Sequence, residues 1–538
     1  MDFLISYLNL FWFLRTLKFI LFWIYLWQLK EYHIGRFIDH FRTQKGNKLL
    51  FGVLPITKLV LLILLFSNYF FLVFFYALLL IYIAEAALFF IHFSTRSLKI
   101  PKFTFKTVLL AGVSIGLAAL YLSVNYYYVQ TTYWIVINLL IFDIATPLIV
   151  SAVVLVFQPL FVMGRNNILR AAALKIRTFD NLLVVAITGS YGKTSTKEFL
   201  TTILSEKFKV LSTKDHQNSE MGIAQTILKE LNNRHEIFVV EMGAYKKGGI
   251  KLLCDMVKPT IGIVTGVNEQ HLALFGSLEN LLSAEGGEEL AESLPENGLI
   301  ILNGDNKYCL DLYKKVDIAK KIYALQRDKI DLDIWTEDIK ASQDSLSFIV
   351  RTKQKEMAHF FVNVPGKQNA QNLLATILVA RQLGVGMEEI LHACKKITQA
   401  QAGITLTQGI HGINVIDSSY SSNPDGVLAD LNYLNIFKGK KVVVMPCLIE
   451  LGQKSAEIHQ QIGKKIAQVC DMAIITTKDQ FEIIKTAAIK YGMSQENITL
   501  LENSREIITV ITTFCTKGDA VLLEGRVPGE LIRLLHGK

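Results

Sequence analysis

Six cysteines occur in 538 residues, and no two of them form a CxxC pair. Cys254, Cys309, Cys394, Cys447, Cys470 and Cys515 therefore read as reduced, mostly buried residues of a cytosolic region. Repeats and low-complexity linkers are absent, and so is any motif that reads RNA or DNA. The net charge of +9 thus implies no nucleic-acid partner. No cleavable leader is expected either. Arg15 and Lys18 interrupt the first apolar run, and no small-residue cleavage site follows a short apolar region. Charged residues make up only 19% of the chain against 51% hydrophobic. The mean hydropathy of +0.35 is too high for a purely soluble protein.

The apolar excess lies almost entirely before residue 160. Runs near 4–28, 51–67, 69–93, 107–125 and 133–158 approach or exceed membrane-spanning length. The first carries Arg15 and Lys18 near mid-span, a costly position, so it either spans or lies in the interface. The stretch 51–93 reads as a hairpin of two helices broken at Ser67-Asn68. Basic residues mark the cytoplasmic side: Lys30, Arg36, Arg42, Lys45 and Lys48, then Arg96, Lys99, Lys102 and Lys106, then Arg165, Arg170, Lys175 and Arg177. The 126–132 loop carries no charge. Five spans with the N-terminus outside satisfy this pattern, and so do four spans with an interfacial first helix. Either arrangement makes the protein a multi-pass cell-membrane protein whose bulk, from about residue 164, is cytoplasmic. Glu85 and Asp143 are acids inside spans, either functional groups or helix–helix polar contacts.

Beyond 164, strand-like runs alternate with helix-like runs: Leu182–Ile187, Ile237–Glu241, Ile261–Val267, Leu299–Asn303, Lys441–Met445, Met472–Thr476 and Ala520–Leu523. This alternation predicts α/β architecture with parallel sheets. A break near 400 divides the region. The expected domains are a helical transmembrane domain at 1–163, a second at 164–400 and a third at 401–538.

The most informative stretch is Ile187-Thr188-Gly189-Ser190-Tyr191-Gly192-Lys193-Thr194-Ser195-Thr196-Lys197, between a buried strand and a helix. A glycine-bearing turn at a helix N-terminus offers backbone N–H groups and a favourable dipole to phosphate oxygens. Lys193 would reach the outer phosphates, and the Thr194 hydroxyl would hold Mg²⁺. Four further pieces follow in order. Val239-Val240-Glu241-Met242-Gly243 ends a strand with a carboxylate suited to Mg²⁺. Thr265-Gly266-Val267-Asn268-Glu269-Gln270-His271-Leu272 presents His271. Pro365-Gly366-Lys367-Gln368-Asn369-Ala370-Gln371-Asn372 opens a helix with two asparagines on one face. Ile416-Asp417-Ser418-Ser419-Tyr420-Ser421-Ser422-Asn423-Pro424 ends a late strand.

Together with Asn218-Ser219-Glu220-Met221-Gly222, Phe275-Gly276-Ser277, Leu302-Asn303-Gly304-Asp305 and Glu450-Leu451-Gly452, these pieces resemble the Mur ligase family over roughly 170–538. The resemblance is closest to the branch that adds D-alanyl-D-alanine to muramoyl tripeptide. It implies a P-loop-type central ATP-binding domain and a Rossmann-like C-terminal domain. It also implies ATP-dependent amide ligation through an acyl phosphate, in peptidoglycan precursor synthesis or modification. Carried over by position, Gly189, Ser190, Tyr191, Gly192, Lys193, Thr194 and Ser195 hold ATP. Thr194 and Glu241 hold one Mg²⁺, and His271 holds a second. Asn369 and Asn372 lie toward adenine, and Asp417 toward the ribose.

The departures from the family are specific. Ser418 stands where the family has a second aspartate, Gly403-Ile404 where it has Gly-Arg, and Glu524-Gly525-Arg526 where it has Lys-Gly-Ser-Arg. Ala284-Glu285-Gly286 replaces Ala-Lys-Gly, whose lysine carries CO₂ and binds the second Mg²⁺. Glu285 is thus expected to supply a carboxylate in place of the carbamate, giving Lys193, Glu241, His271 and Glu285 as the catalytic set. A membrane domain stands where the family has a soluble domain that grips the uridine nucleotide. The expected partners are a peptide or amino-acid substrate, lipid-linked muropeptide included, and membrane lipids. The alternative is a scaffold or regulator that binds ATP without ligating.

Overall fold

The computed structural model describes residues 2–66, 70–95, 98–129, 131–214, 217–327, 331–420 and 423–537. The expected break at Ser67-Asn68 falls outside them. The chain divides into two compact units, Met1–Asn166 and Asn167–Lys538.

The first unit is helical. Its main helices are α1 (Asp2–Leu29), α2 (Val53–Phe66), α3 (Phe71–Ser94) and α4 (Phe105–Tyr128). A fifth, α5 (Thr132–Ile176), begins in this unit and extends well past the apolar run at 133–158, with Pro147 and Pro159 inside it. Among the described residues, five segments are long and apolar enough to cross a membrane: Phe3–Leu29, Lys45–Phe66, Phe71–Ser94, Phe105–Tyr128 and Thr132–Ile176.

The charges that sit awkwardly in the sequence meet inside this bundle. Arg15 of α1 pairs with Asp143 of α5, and its Nε lies 3.3 Å from Glu85 Oε1 of α3. Lys58 of α2 pairs with Glu85, and its Nζ lies 2.9 Å from Asp143 Oδ2. Two cations and two anions from four helices therefore neutralise one another among apolar side chains. Each ion is costly to bury alone, and the geometry of its partners offsets that cost. Trp12 Nε1 adds a bond of 2.9 Å to the Leu139 carbonyl, and Trp27 stacks on Phe37 at 3.8 Å. The first apolar run is thus a packed member of the bundle.

The second unit holds two sheets. The first contains β1 (Leu183–Thr188), β2 (Val210–Ser212), β3 (Ile237–Glu241), β4 (Ile261–Val264), β5 (Leu299–Asn303), β6 (Ala319–Ala324), β7 (Ile334–Ala341), β8 (Leu346–Thr352) and β9 (Met357–Val362). Their order is β2-β3-β1-β4-β5-β6-β7-β8-β9. Pairing is parallel up to β7, and β7–β8–β9 are antiparallel. Along β1 the side chains alternate between two cores. Val185 and Ile187 pack with Phe199, Leu200 and Ile203 of α6 (Lys193–Leu204). Val184 and Ala186 pack with Ile223 and Ala224 on the other face. Both faces are covered, as a parallel sheet requires.

The second sheet contains β10 (Thr405–Gln408), β11 (Asn414–Ser418), β12 (Lys441–Met445), β13 (Met472–Ile475), β14 (Ile498–Leu500) and β15 (Ala520–Glu524), in the order β10-β11-β15-β12-β13-β14. Only β10 runs antiparallel to its neighbour. The expected architecture, an apolar helical region followed by α/β domains, is the architecture observed.

The ion cluster yields a stability test. Asp143→Asn leaves Arg15 and Lys58 sharing one acid, and breaking a buried ion pair costs about 3–5 kcal/mol. Thermal unfolding of the full-length protein in detergent is expected to show a markedly lower midpoint for this variant. Asp331→Asn, at the exposed pair with Lys353, is expected to leave the midpoint unchanged.

Candidate functional site

Chain order in the first sheet reverses at β1. The chain leaves it on one side to β2 and β3, then returns on the other side to β4. Ligands of open α/β sheets bind at the carboxyl ends of the strands at such a point. The loop 189–192 emerges there. Gly189 has φ +133°, and a Cβ would lie 2.3 Å from Thr265 Oγ1. Gly192 has φ +74°, and a Cβ would lie 2.6 Å from Asn372 Oδ1. Both positions need glycine on two counts. Gly192 then caps α6, which starts at Lys193. Lys193 Nζ donates to the Gly189 carbonyl at 2.5 Å, so the ammonium lies over the loop. Thr194 and Ser195 occupy the first turn of α6.

Two carboxylates flank this loop in separate settings. Glu241 ends β3 opposite Ile187 of β1. It is 2% exposed, and Asn218 Nδ2 donates to its Oε1 at 2.9 Å. Its Oε2 has no hydrogen-bond partner and lies 3.9 Å from Lys197 Nζ. Glu285 sits on the other side, also 2% exposed. Ser190 Oγ donates to its Oε2 at 2.9 Å, and His271 Nδ1 lies 3.1 Å from its Oε1. Burial pushes the Glu285 carboxyl up. The His271 ring, Lys193 and Ser190 outweigh burial and hold it below the usual carboxylate range. Glu285 is therefore a buried acid turned toward the loop. Helices Leu278–Ala284 and Glu288–Ser293 stop on either side of it.

These residues suit Mg²⁺. Among the described residues no three His, Cys, Asp or Glu side chains converge to cage an ion on their own. Mg²⁺ is held by one or two carboxylates with substrate phosphates and waters, and a buried carboxylate oxygen that accepts no hydrogen bond beside a phosphate-type loop is such a donor.

The remaining expected residues fall into two groups. Asn372 packs against Gly192, its Oδ1 3.5 Å from Thr196 Oγ1. Asn369 accepts from Asn372 at 3.2 Å and donates to the Pro365 carbonyl at 2.7 Å. Both brace the loop from α7 (Gln368–Gln382). Tyr191 accepts from Asn306 Nδ2 at 3.3 Å, and burial pushes its phenol above the ordinary range. Asp417 instead accepts from Ser419 N at 2.9 Å, within its own strand corner.

The second sheet reaches the site through residues to which sequence reasoning gave no role. Asn268 Nδ2 donates to Asp425 Oδ2 at 2.8 Å and to Asn423 Oδ1 at 3.3 Å. Ala273 N donates to the Glu450 carbonyl at 3.2 Å. Lys197, fully buried, donates to the Thr213 carbonyl at 2.8 Å and lies 2.9 Å from Glu198 Oε1. Its signal was its place one helical turn after Lys193.

Comparison with known proteins gives the geometry a family. The description "Mur ligase middle domain" matches residues 187–380, and "Mur ligase, glutamate ligase domain" matches 404–527. The two matches together span more than half of the chain. The chain belongs to the Mur ligase family. The UDP-N-acetylmuramoyl-tripeptide–D-alanyl-D-alanine ligase of Bacillus subtilis is 25% identical over 343 residues, covering 63% of this chain and 72% of the relative. The ligase of the same name from Escherichia coli is 28% identical over 305 residues, covering 57% and 66%. A MurF ligase from Thermotoga maritima, solved in complex with ADP, superposes with a TM-score of 0.59 at 24% identity, covering 69% of this chain and 83% of that one. The N-terminal helical unit lies outside both domain matches.

Two departures from the Mur pattern prove to be one. Ser418 and Glu524 are register partners on β11 and β15. Ser418 Oγ donates to buried Asp430 Oδ2 at 2.5 Å. Burial, together with the Asp430 charge, pushes the Glu524 carboxyl well above its ordinary range. An aspartate at 418 would add a third acid to this spot, so serine there accommodates the glutamate at 524. A carboxyl whose folded pKa is raised stabilises fully below its unfolded pKa, and that contribution fades as pH rises toward the folded value. Glu524→Gln is expected to remove this fade, raising the melting temperature above wild type at pH 8 and changing it less at pH 5. Melting curves at pH 5 and pH 8 check it.

Proposed function

We propose that this protein joins a peptide carboxylate to an amine, as part of peptidoglycan precursor synthesis, at the cytoplasmic face of the membrane. The observation that carries the reading is the loop 189–192 held between two buried carboxylates, Glu241 with an oxygen that accepts no hydrogen bond and Glu285 bonded to Ser190 and His271. The MurF ligase of T. maritima was solved in complex with ADP, which supports nucleotide binding by this fold.

The chemistry follows from charge. The substrate carboxylate attacks the γ-phosphate of ATP, forming an acyl phosphate and releasing ADP. The amine then attacks the carbonyl carbon, and phosphate leaves. Lys193 and the N–H groups of the loop neutralise the transferring phosphoryl group. Thr194 and Glu241 would hold one Mg²⁺, and His271 with Glu285 a second, which supply further neutralisation when bound. Asn369 and Asn372 hold the loop from behind and lie toward the adenine side, and Asp417 serves the ribose side from the second sheet. The contacts between the two sheets' loops keep carboxylate and amine in one enclosure, which supplies proximity.

The helical unit supports the membrane reading. Its five long apolar segments exceed what an anchor needs, and the basic stretches at 29–50, 94–106 and 165–177 suit anionic headgroups or a diphosphate. The substrate proposed is therefore a lipid-linked muropeptide carboxylate with D-alanyl-D-alanine as amine. Glu524 in place of a lysine favours the second reading, a non-ligating ATP-binding scaffold.

One assay decides between them. Full-length protein in lipid nanodiscs receives ATP, Mg²⁺, D-alanyl-D-alanine and either UDP-linked or lipid-linked muramoyl tripeptide. ADP release coupled to amide formation is expected, with the larger kcat/KM on the lipid-linked form. ATP binding with no amide on either form supports the scaffold. Lys193→Ala is expected to lower kcat on the order of 10²-fold, about 3 kcal/mol. Because Glu285 needs no CO₂, activity is expected to be unchanged when bicarbonate is removed. Glu285→Gln is expected to raise the Mg²⁺ concentration needed for half-maximal rate.

A further inference from the structure

Glu450 reaches the site from the loop after β12. Its carbonyl accepts from Ala273 N at 3.2 Å, and its Oε2 lies 3.7 Å from His271 Nε2. Its side chain is 12% exposed. The backbone there is left-handed, with φ +67°, and His271 opposite it has the same value. Two facing non-glycine residues in a conformation that disfavours side chains persist only where their surroundings over-determine them, as functional sites do.

The charge of Glu450 is the informative point. A loop that cradles phosphate wants cations nearby, and Lys193 provides one. Glu241 and Glu285 already give the metal side its carboxylates. A third carboxylate, delivered by the other sheet, repels a polyphosphate and attracts a cation. Under the ligase reading, on which this step rests, the cation that must arrive opposite the phosphate loop is the ammonium of the amine substrate. We propose that Glu450 recognises that ammonium and orients its nitrogen toward the acyl carbonyl. The ammonium loses one proton to water, and the nitrogen lone pair forms the C–N bond. The C–O bond to phosphate breaks, and the second proton leaves with the phosphate. Glu450 acts as a charged hydrogen-bond acceptor throughout.

The test compares full-length wild type with Glu450→Gln and Glu450→Asp, using ATP, Mg²⁺ and muramoyl tripeptide. The nucleophile is either D-alanyl-D-alanine or hydroxylamine, which is uncharged at neutral pH. Glu450→Gln is expected to raise the KM for D-alanyl-D-alanine about tenfold or more, the size of one lost charged hydrogen bond. Glu450→Asp is expected to recover part of that loss. Hydroxamate formation from hydroxylamine and its Mg²⁺ dependence are expected to match wild type. An unchanged amine KM overturns the proposal, as does a hydroxamate rate or Mg²⁺ dependence that falls in parallel, since that assigns Glu450 to phosphate, metal or closure. Wild type that yields no hydroxamate overturns the ligase reading itself.

Discussion

The buried carboxylate of Glu285 is the point on which the site depends. It takes a hydrogen bond from Ser190 in the phosphate-type loop and faces His271 on the next strand's loop. His271 in turn faces Glu450 from the second sheet. One side chain thus fixes the loop, an imidazole and the approach of the other sheet. Its charge is tolerable only because those partners outweigh the cost of burial. A carbamylated lysine would fill the same role with a longer reach and a dependence on CO₂. Glutamate is shorter, and it sits at the interruption between the helices at 278–284 and 288–293.

The helical unit solves the opposite problem. The second unit arranges charges so that they stay available at a site, whereas Arg15, Lys58, Glu85 and Asp143 consume one another. Four charges from four helices sum to zero, and each partner comes from a different segment. Such a cluster favours the meeting of these four helices, because removing any one of them leaves a buried ion short of a partner.

Much of this was legible from sequence because buried parallel strands are short, continuous apolar runs. Ile237–Glu241, Leu299–Asn303 and Lys441–Met445 fall where their patterns place them. The glycine-bearing turn at 189–192 was legible through its flanking strand and helix. Strands β6–β9 were not, since they lack a continuous apolar run: β8 alternates buried and half-buried residues, β9 buried and exposed ones, and β7 loses its apolar pattern after Thr336. Arg15 read as a defect in a span because its acids lie about 70 and 130 residues away, and nothing local announces such pairs. The coupling of Ser418 with Glu524 needed the register of β11 on β15. Glu450 was visible only as a motif, and its role depends on a contact between loops of two sheets.

The central claim is that Glu285 serves the phosphate side of the site as a metal-binding carboxylate. The most direct measurement is the structure of the full-length protein bound to Mn²⁺ and a non-hydrolysable ATP analogue, with the metal located by anomalous scattering. The account predicts the triphosphate on the loop 189–192, one Mn²⁺ on Glu241 and Thr194, and a second on Glu285 and His271. A structure in which Glu285 stays bonded to Ser190 and His271 while the only Mn²⁺ lies elsewhere would contradict it.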